Sequence, residues 1–257
     1  PLYSSAASDV YKRQVIEGFV DTDFLEPEAP FAESHGHVAL EDFNTSMTVT
    51  AITHRKDAIF TSIISQLTPS ESSVIKRVAY EPIYLTHLSK TLGIKGIKKV
   101  YLHEPLTNLR KVLFIQFEQN VPATEIWRAL YGASSLASAI GKYVIAIDKD
   151  INPENSDSIF WAMAYRANPA IDVKILEHRV PYGPKDQRVP GGEDSTMLID
   201  ATLKNPMPPI ALPTKTYMEK AKVIWDELGL PNLTPESPWH GYSLGAVSYT
   251  HLRAHET

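Results

Sequence analysis

Two short runs decide the fold: VLFIQF (Val112–Phe117) and YVIAID (Tyr143–Asp148). Each is apolar almost throughout, rich in β-branched and aromatic residues, and too short for a helix, which marks a strand buried on both faces. Between them, Pro122–Ile140 places Ile126, Leu130, Ala133, Leu136 and Ala137 on one side of a helix. Working outward, Ile97–Leu102 reads as a preceding strand. Ser156–Ala167 reads as a helix with Ile159, Phe160 and Met163 inward, and Val173–Leu176 as a further strand. This alternation predicts an α/β layer domain. Tyr182–Pro213, rich in Pro and Gly, reads as one long loop of the kind that carries function or an interface. Tyr217–Leu228 reads as a final amphipathic helix stopped by Gly229.

Upstream, Ser70–Leu92 is the strongest helical stretch. Thr68 and Ser70 offer caps, Glu71 suits the first turn, and apolar residues recur at Val74, Ile75, Val78, Ile83, Leu85, Leu88 and Leu92. Pro82 is expected to kink or interrupt this helix, and Gly93 and Gly96 to end it. Before it, Val15–Val20 and Met47–Ile52 alternate as strands, with Asp21–Pro30 as an acidic, Pro-containing loop. The expected organisation is a part of one domain over 15–69, a linking helix over 70–92, and an α/β domain over 93–246 that includes the last helix.

The two flanks read differently. Asp9–Gln14 back-translates as GAT GTG TAT AAG AGA CAG, a transposon-library sequencing adapter, and Val247–Leu252 as its reverse complement. Residues 1–14 and 247–257 are therefore expected to be translated adapter, and the genuine stretch to be an internal piece of a longer gene. Across the 257 residues, 25 Lys and Arg stand against 30 Asp and Glu. That balance offers no basic footprint for nucleic acid and no polybasic membrane patch. Cysteine is absent, which excludes disulfides, thiolate metal sites and a thiol nucleophile. With no membrane-length apolar run and no signal-peptide pattern, the expectation is a soluble protein of the cytoplasm.

Three segments carry chemistry. In PEAPFAE (Pro27–Glu33) two carboxylates sit five residues apart around Pro30, Phe31 and Ala32. Apolar surroundings of that kind favour the protonated form of a carboxyl and let it hold a transferable proton, whereas acidic pairs in loops are mostly solvated. Next, strand alternation through Ser34, His35, Gly36 and His37 would put Glu33, His35 and His37 on one face, either as metal ligands or as hydrogen-bonded or exposed histidines. Finally, His54, Arg55, Lys56 and Asp57, Arg166 with Pro169, and Lys185–Arg188 each suit an anionic ligand or a solvated surface. Gly191-Gly192 lacks the helix start and Lys-Ser/Thr of a phosphate loop.

The order of these pieces resembles the UbiD family of decarboxylases. The residues that carry the resemblance are Ile16-Glu17-Gly18, Pro27–Glu33, Gly36, Ile52–Ile59, Trp161-Ala162 with Arg166 and Pro169, and Ile199–Thr202. The family form of the second block is Pro-Glu-Gly-Pro-Phe-Gly-Glu. Both glutamates are kept here, and Ala29 and Ala32 replace the glycines.

This resemblance implies the end of a split β-barrel-like flavin-binding domain, a linking helix, and a mixed-sheet α/β oligomerisation domain with a C-terminal helix. It implies a non-oxidative, reversible decarboxylase of an aromatic, heteroaromatic or α,β-unsaturated acid, working through a covalent adduct with prenylated FMN. Glu33 matches the proton donor, and Glu28 the glutamate that pairs with an arginine upstream of this chain. Ile75 and Met163 match substrate-pocket positions, and His35 is a further pocket candidate. Asp157 stands where some members place a phosphate-binding lysine. Mn2+ and K+ are family cofactors whose ligands lie mostly upstream, so this chain is assigned no metal ligand. The implied partners are a small aryl or heteroaryl acid, a flavin prenyltransferase that supplies the cofactor, and further copies in a dimer or hexamer. The alternatives from other classes are a non-catalytic α/β oligomerisation or scaffold module, and a metal-dependent hydrolase using Glu33, His35 and His37.

Overall fold

The computed structural model describes residues 14–28, 30–33, 36–39, 42–58, 62–105, 107, 111–137, 140–181, 193–207 and 213–231. The chain divides into two compact units, Pro1–Val74 and Ile75–Thr257.

In the first unit, β1 (Gln14–Val20) pairs antiparallel with β6 (Met47–His54), from Gln14↔His54 to Val20↔Met47, with a bulge at Glu17/Gly18. The bulge needs glycine, because a Cβ on Gly18 would lie 2.4 Å from the Thr48 carbonyl oxygen. Between these strands runs one hairpin with two nested pairs. Its outer pair is β2 (Glu26–Glu28) with β5 (Asp42–Asn44), and its inner pair is β3 (Phe31–Ala32) with β4 (Val38–Ala39). The expected loop at Asp21–Pro30 thus contains a strand. Pro27 is tolerated there because a strand of three residues needs few ladder donors.

Helix α1 (Glu71–Thr86) begins on Ser70, whose Oγ accepts from the Ser73 amide while the Ser70 amide donates back to Ser73 Oγ at 3.0 Å. A cap is expected in the Thr68/Ser70 region, and Ser73 makes it reciprocal. Contrary to expectation, Pro82 does not interrupt the helix. It removes one donor, and the ladder continues to Thr86 before widening into a π-helical turn over His87–Thr91. Gly93 and Gly96, at φ +64° and +81°, then release the chain.

The second unit is built on a five-stranded mixed sheet in the order β10-β11-β9-β8-β7. Its strands are β7 (Ile97–Leu102), β8 (Val112–Phe117), β9 (Tyr143–Asp148), β10 (Val173–Arg179) and β11 (Asp194–Asp200). Strands β8, β9 and β11 run parallel, and β7 and β10 close the two edges antiparallel. Helix α2 (Ala123–Leu136) covers one face, where Ile126, Leu130 and Ala133 pack on Leu113, Ile115, Phe117, Val144 and Leu198. Helix α3 (Ser156–Arg166) covers the other, where Ile159 and Ala162 pack on Phe114, Ile145, Ile147 and Ile199. The last helix is α4 (Lys215–Glu227), followed by Gly229 at φ +63°.

Two expectations fail here. Strand β11 lies inside the stretch read as one long loop. Its Thr-Met-Leu-Ile run supplies the branched, apolar residues that a strand between β9 and β10 requires, and the surrounding Pro and Gly masked it. Phe160, expected inward, is 66% exposed, because Ile159 and Ala162 already define the buried face of α3. No helix among the described residues is long and apolar enough to cross a membrane.

Candidate functional site

The two motif glutamates sit on the nested hairpin. Glu28 closes β2 opposite Asp42, and its Oε2 accepts a hydrogen bond from Asn44 Nδ2 at 3.3 Å. Glu33 stands at the hairpin tip and is half-buried. Its amide donates to the His37 carbonyl at 3.0 Å, and its carbonyl accepts from the Gly36 amide at 2.9 Å. Both backbone polar groups of Glu33 are thus spent on the turn, which fixes where its side chain starts.

The turn depends on Gly36. It lies at φ +84°, a left-handed conformation that costs other residues about 1–2 kcal/mol. A Cβ there would come 3.2 Å from Leu67 Cα and 3.3 Å from Leu67 Cδ1. The tip therefore lies against Leu67, in the segment that leads to Ser70. This geometry overturns the expectation that Glu33, His35 and His37 share one strand face. β3 ends at Ala32 and β4 starts at Val38, so Glu33 and His37 are paired ends of a turn. His35 lies outside the described residues, as do Ala29 and Lys185–Arg188. Among the described residues, no three His, Asp or Glu side chains converge as metal ligands.

The other candidates scatter. Ile75 is exposed on the first turns of α1, and Met163 packs against the core on the α3 face of the sheet. Asp157 is exposed in the first turn of α3. His54 ends β6, with Nδ1 2.7 Å from the Arg55 carbonyl oxygen, and Arg55 starts a turn closed by the Ala58 amide.

Arg166 meets neither of its two anticipated roles, because it is buried in an internal ion network. Its Nη1 bonds Asp148 Oδ2 at 2.8 Å and Asp150 Oδ1 at 3.0 Å, and its Nη2 bonds Asp150 Oδ2 at 2.6 Å. The side chains of Arg166, Asp148 and Asp150 are 2%, 4% and 6% exposed. Burial pushes the Asp148 carboxyl up to about 6, outweighing the Leu203 amide and the Arg166 charge that oppose it. The signal available in the sequence was an aspartate pair ending an apolar strand, with one arginine in the last turn of the next helix. Asn44, the partner of Glu28, carried no such signal.

Comparison with known proteins fits this arrangement. The sequence profile described as the Rift-related domain of 3-octaprenyl-4-hydroxybenzoate carboxy-lyase matches residues 11–67, and the profile of that enzyme's C-terminal domain matches residues 74–201. An evolved dimeric form of the UbiD-class enzyme HmfF from Pelotomaculum thermopropionicum, in complex with prFMN, is 26% identical with a TM-score of 0.62, over 78% of this chain and 42% of that one. Vanillic acid decarboxylase from Sedimentibacter hydroxybenzoicus, in open form, is 21% identical with a TM-score of 0.63, over 84% of this chain and 47% of that one. An apo 3,4-dihydroxybenzoic acid decarboxylase from Enterobacter cloacae is 16% identical with a TM-score of 0.64, over 81% and 47%. The last two likenesses are of fold alone. The chain spans less than half the length of each of these proteins.

Proposed function

The chain belongs to the UbiD family of carboxy-lyases, and we propose that it carries the proton-donating side of a reversible, non-oxidative decarboxylation of an aromatic, heteroaromatic or α,β-unsaturated carboxylic acid. Prenylated FMN, when bound, would supply the electron sink for the pair left at the carbon that loses carbon dioxide. Glu33 gives a proton to the carbon that the carboxylate vacates. Glu28, steadied by Asn44, pairs with an arginine supplied from outside this chain. The observation that carries this reading is the hairpin tip, where Glu33 is half-buried with both backbone polar groups engaged, on the same hairpin as a second, hydrogen-bonded glutamate.

The residues present fit the acid–base side of such a site. Two carboxyl groups share one hairpin with Phe31 and Phe43, whose rings are exposed and suit a flat aromatic neighbour. Ile75, Met163 and His35 are the substrate-pocket candidates in this reading. Among the described residues there is no ligand cluster for Mn2+ or K+, which in this reading are held by protein outside the chain. The flavin comes from a prenyltransferase, the protein works in the cytoplasm, and copies assemble through the α/β unit.

The first unit supports the reading of the chain as part of a larger enzyme. Ile16, Phe19, Val20, Val49 and Ile52 of the β1–β6 ribbon are exposed on both faces, and a lone two-stranded ribbon is marginal in water. Further strands would bury these side chains. The full-length gene, co-expressed with a flavin prenyltransferase, tests the reading. Carbon dioxide release from a panel of aryl and heteroaryl acids is expected, with a loss of about 100-fold or more in Glu33→Gln while the flavin stays bound. Undiminished turnover in that variant would remove the role given to Glu33.

One observation favours a second reading for the chain taken by itself. Its α/β unit has a complete two-faced core, so it can serve as a scaffold without catalysis. Gel filtration with visible absorbance on the purified 257-residue chain separates the two, since stoichiometric flavin would reject the scaffold.

A further inference from the structure

The ion network around Arg166 continues into the segment that follows β11. The Leu203 amide donates to Asp148 Oδ2 at 2.6 Å, sharing that oxygen with Arg166. The Thr202 amide and hydroxyl donate to Asp200 Oδ1 at 3.0 and 2.6 Å. Lys204 Nζ bonds the Arg166 carbonyl at 3.0 Å and the Asp200 carbonyl, and its charge lies 3.3 Å from Asp200 Oδ1 and 3.4 Å from Asp172 Oδ2. Ala201–Lys204 is thus strapped across the ends of β9 and β11 by groups that bond carboxylates and carbonyls, and it leads the chain toward α4.

The charges in this cluster do not balance. Among the described residues, Asp148, Asp150, Asp172 and Asp200 pair with Arg166 and Lys204, four carboxylates against two cations. Asp148, Asp150, Asp200 and Arg166 are almost wholly buried, where an uncompensated charge is expensive. Arg166 commits two bonds to Asp150 and one to Asp148, which leaves Asp148 the least compensated of its pair. A proton on Oδ1 of Asp148 would relieve the excess and leave Oδ2 free to accept from both Arg166 and Leu203. Lifting the strap admits water to the same carboxyl and removes the cost of ionising it.

We propose that Ala201–Lys204 is a proton-linked strap, seated with one proton held among these carboxylates and loosened as that proton leaves. By linkage, the state that holds the extra proton is favoured as pH falls, so the strap opens as pH rises. The raised ionisation range of Asp148, about 6 against an ordinary 3.8, puts the change between about pH 4 and 6.

Amide hydrogen exchange on the full chain tests this. The observed rates are divided by the intrinsic chemical rate at each pH to give opening constants. The opening constant of the Leu203 amide is expected to rise at least tenfold from pH 4 to 7, with a ceiling of about 100-fold set by the displacement of Asp148. Ile115 and Ile145, buried in β8 and β9, should keep opening constants well below that of Leu203 at every pH, so that the Leu203 opening is local. In Asp148→Asn the Leu203 constant should be flat near the wild-type pH 4 value. A flat Leu203 constant in the wild type, or an undiminished rise in Asp148→Asn, would overturn the proposal. If that variant loses protection at Ile145, and so its fold, the wild-type series decides by itself.

Discussion

Replacing Arg166 with Met tests the ion network directly. The guanidinium makes three hydrogen bonds of 2.6 to 3.0 Å to two carboxylates, and all three side chains are at most 6% exposed. Met fills most of the volume of the arginine stem, so packing loss is small. What remains is two buried carboxylates without their cation, and breaking a buried pair from one side costs about 3–5 kcal/mol. Domains of this kind have about 5–15 kcal/mol in total, so the variant should sit near the edge of folding. The assay is urea unfolding followed by tryptophan fluorescence, since the Arg166 guanidinium lies 5.2 Å from the Trp161 ring centroid. With a slope of about 2 kcal/mol per molar urea, the midpoint should fall by about 1.5–2.5 M. Adding Asp150→Asn should recover part of the loss, because one of the stranded charges is then gone. A midpoint within about 0.5 M of wild type would refute the view that Arg166 neutralises this cluster.

Other expectations follow from single contacts. Asp148→Asn should raise the unfolding midpoint more at pH 8 than at pH 4.5. The folded value of about 6 lies above the ordinary 3.8, so the stability this group supplies is whole below about pH 4 and is lost as pH rises through 6. Gly36→Ala should cost about 1–2 kcal/mol in the first unit, from its φ of +84° and the approach to Leu67. In the full-length enzyme it should lower kcat with little change in KM, since it moves the start of the Glu33 side chain. Leu130→Ala, at a fully buried site between α2 and the sheet, should cost about 2–5 kcal/mol by thermal or urea unfolding.

Strands β7, β8 and β9 were legible to the residue, because a short run buried on both faces leaves few other readings. Strand β11 was not, since its pattern sits among Pro and Gly residues, and only its place between β9 and β10 reveals the need for it. The span of α1 was legible, but its passage through Pro82 was not, because the cost of one lost donor is settled by packing that the sequence does not display. At the candidate site, Glu28 and Glu33 were found by resemblance, and strand alternation misplaced His37. The rule of alternating faces fails where Gly36 turns the chain with a positive φ. Arg166 was noticed as a cation, yet its partners arrive from β9 and the following turn, 16 to 18 residues away, and such pairing is a tertiary fact.

The role of Glu33 is tested most directly by the source of the hydrogen that replaces the carboxylate. The full-length enzyme, loaded with prenylated FMN and given its acid substrate in D2O, can be followed by proton NMR of the product. With Glu33 as donor, one deuterium should appear at the vacated carbon. Glu33→Gln should abolish both carbon dioxide release and the exchange of that hydrogen in added product, with flavin absorbance retained. Unchanged deuterium incorporation in the Glu33→Gln enzyme would contradict the assignment of Glu33 as proton donor.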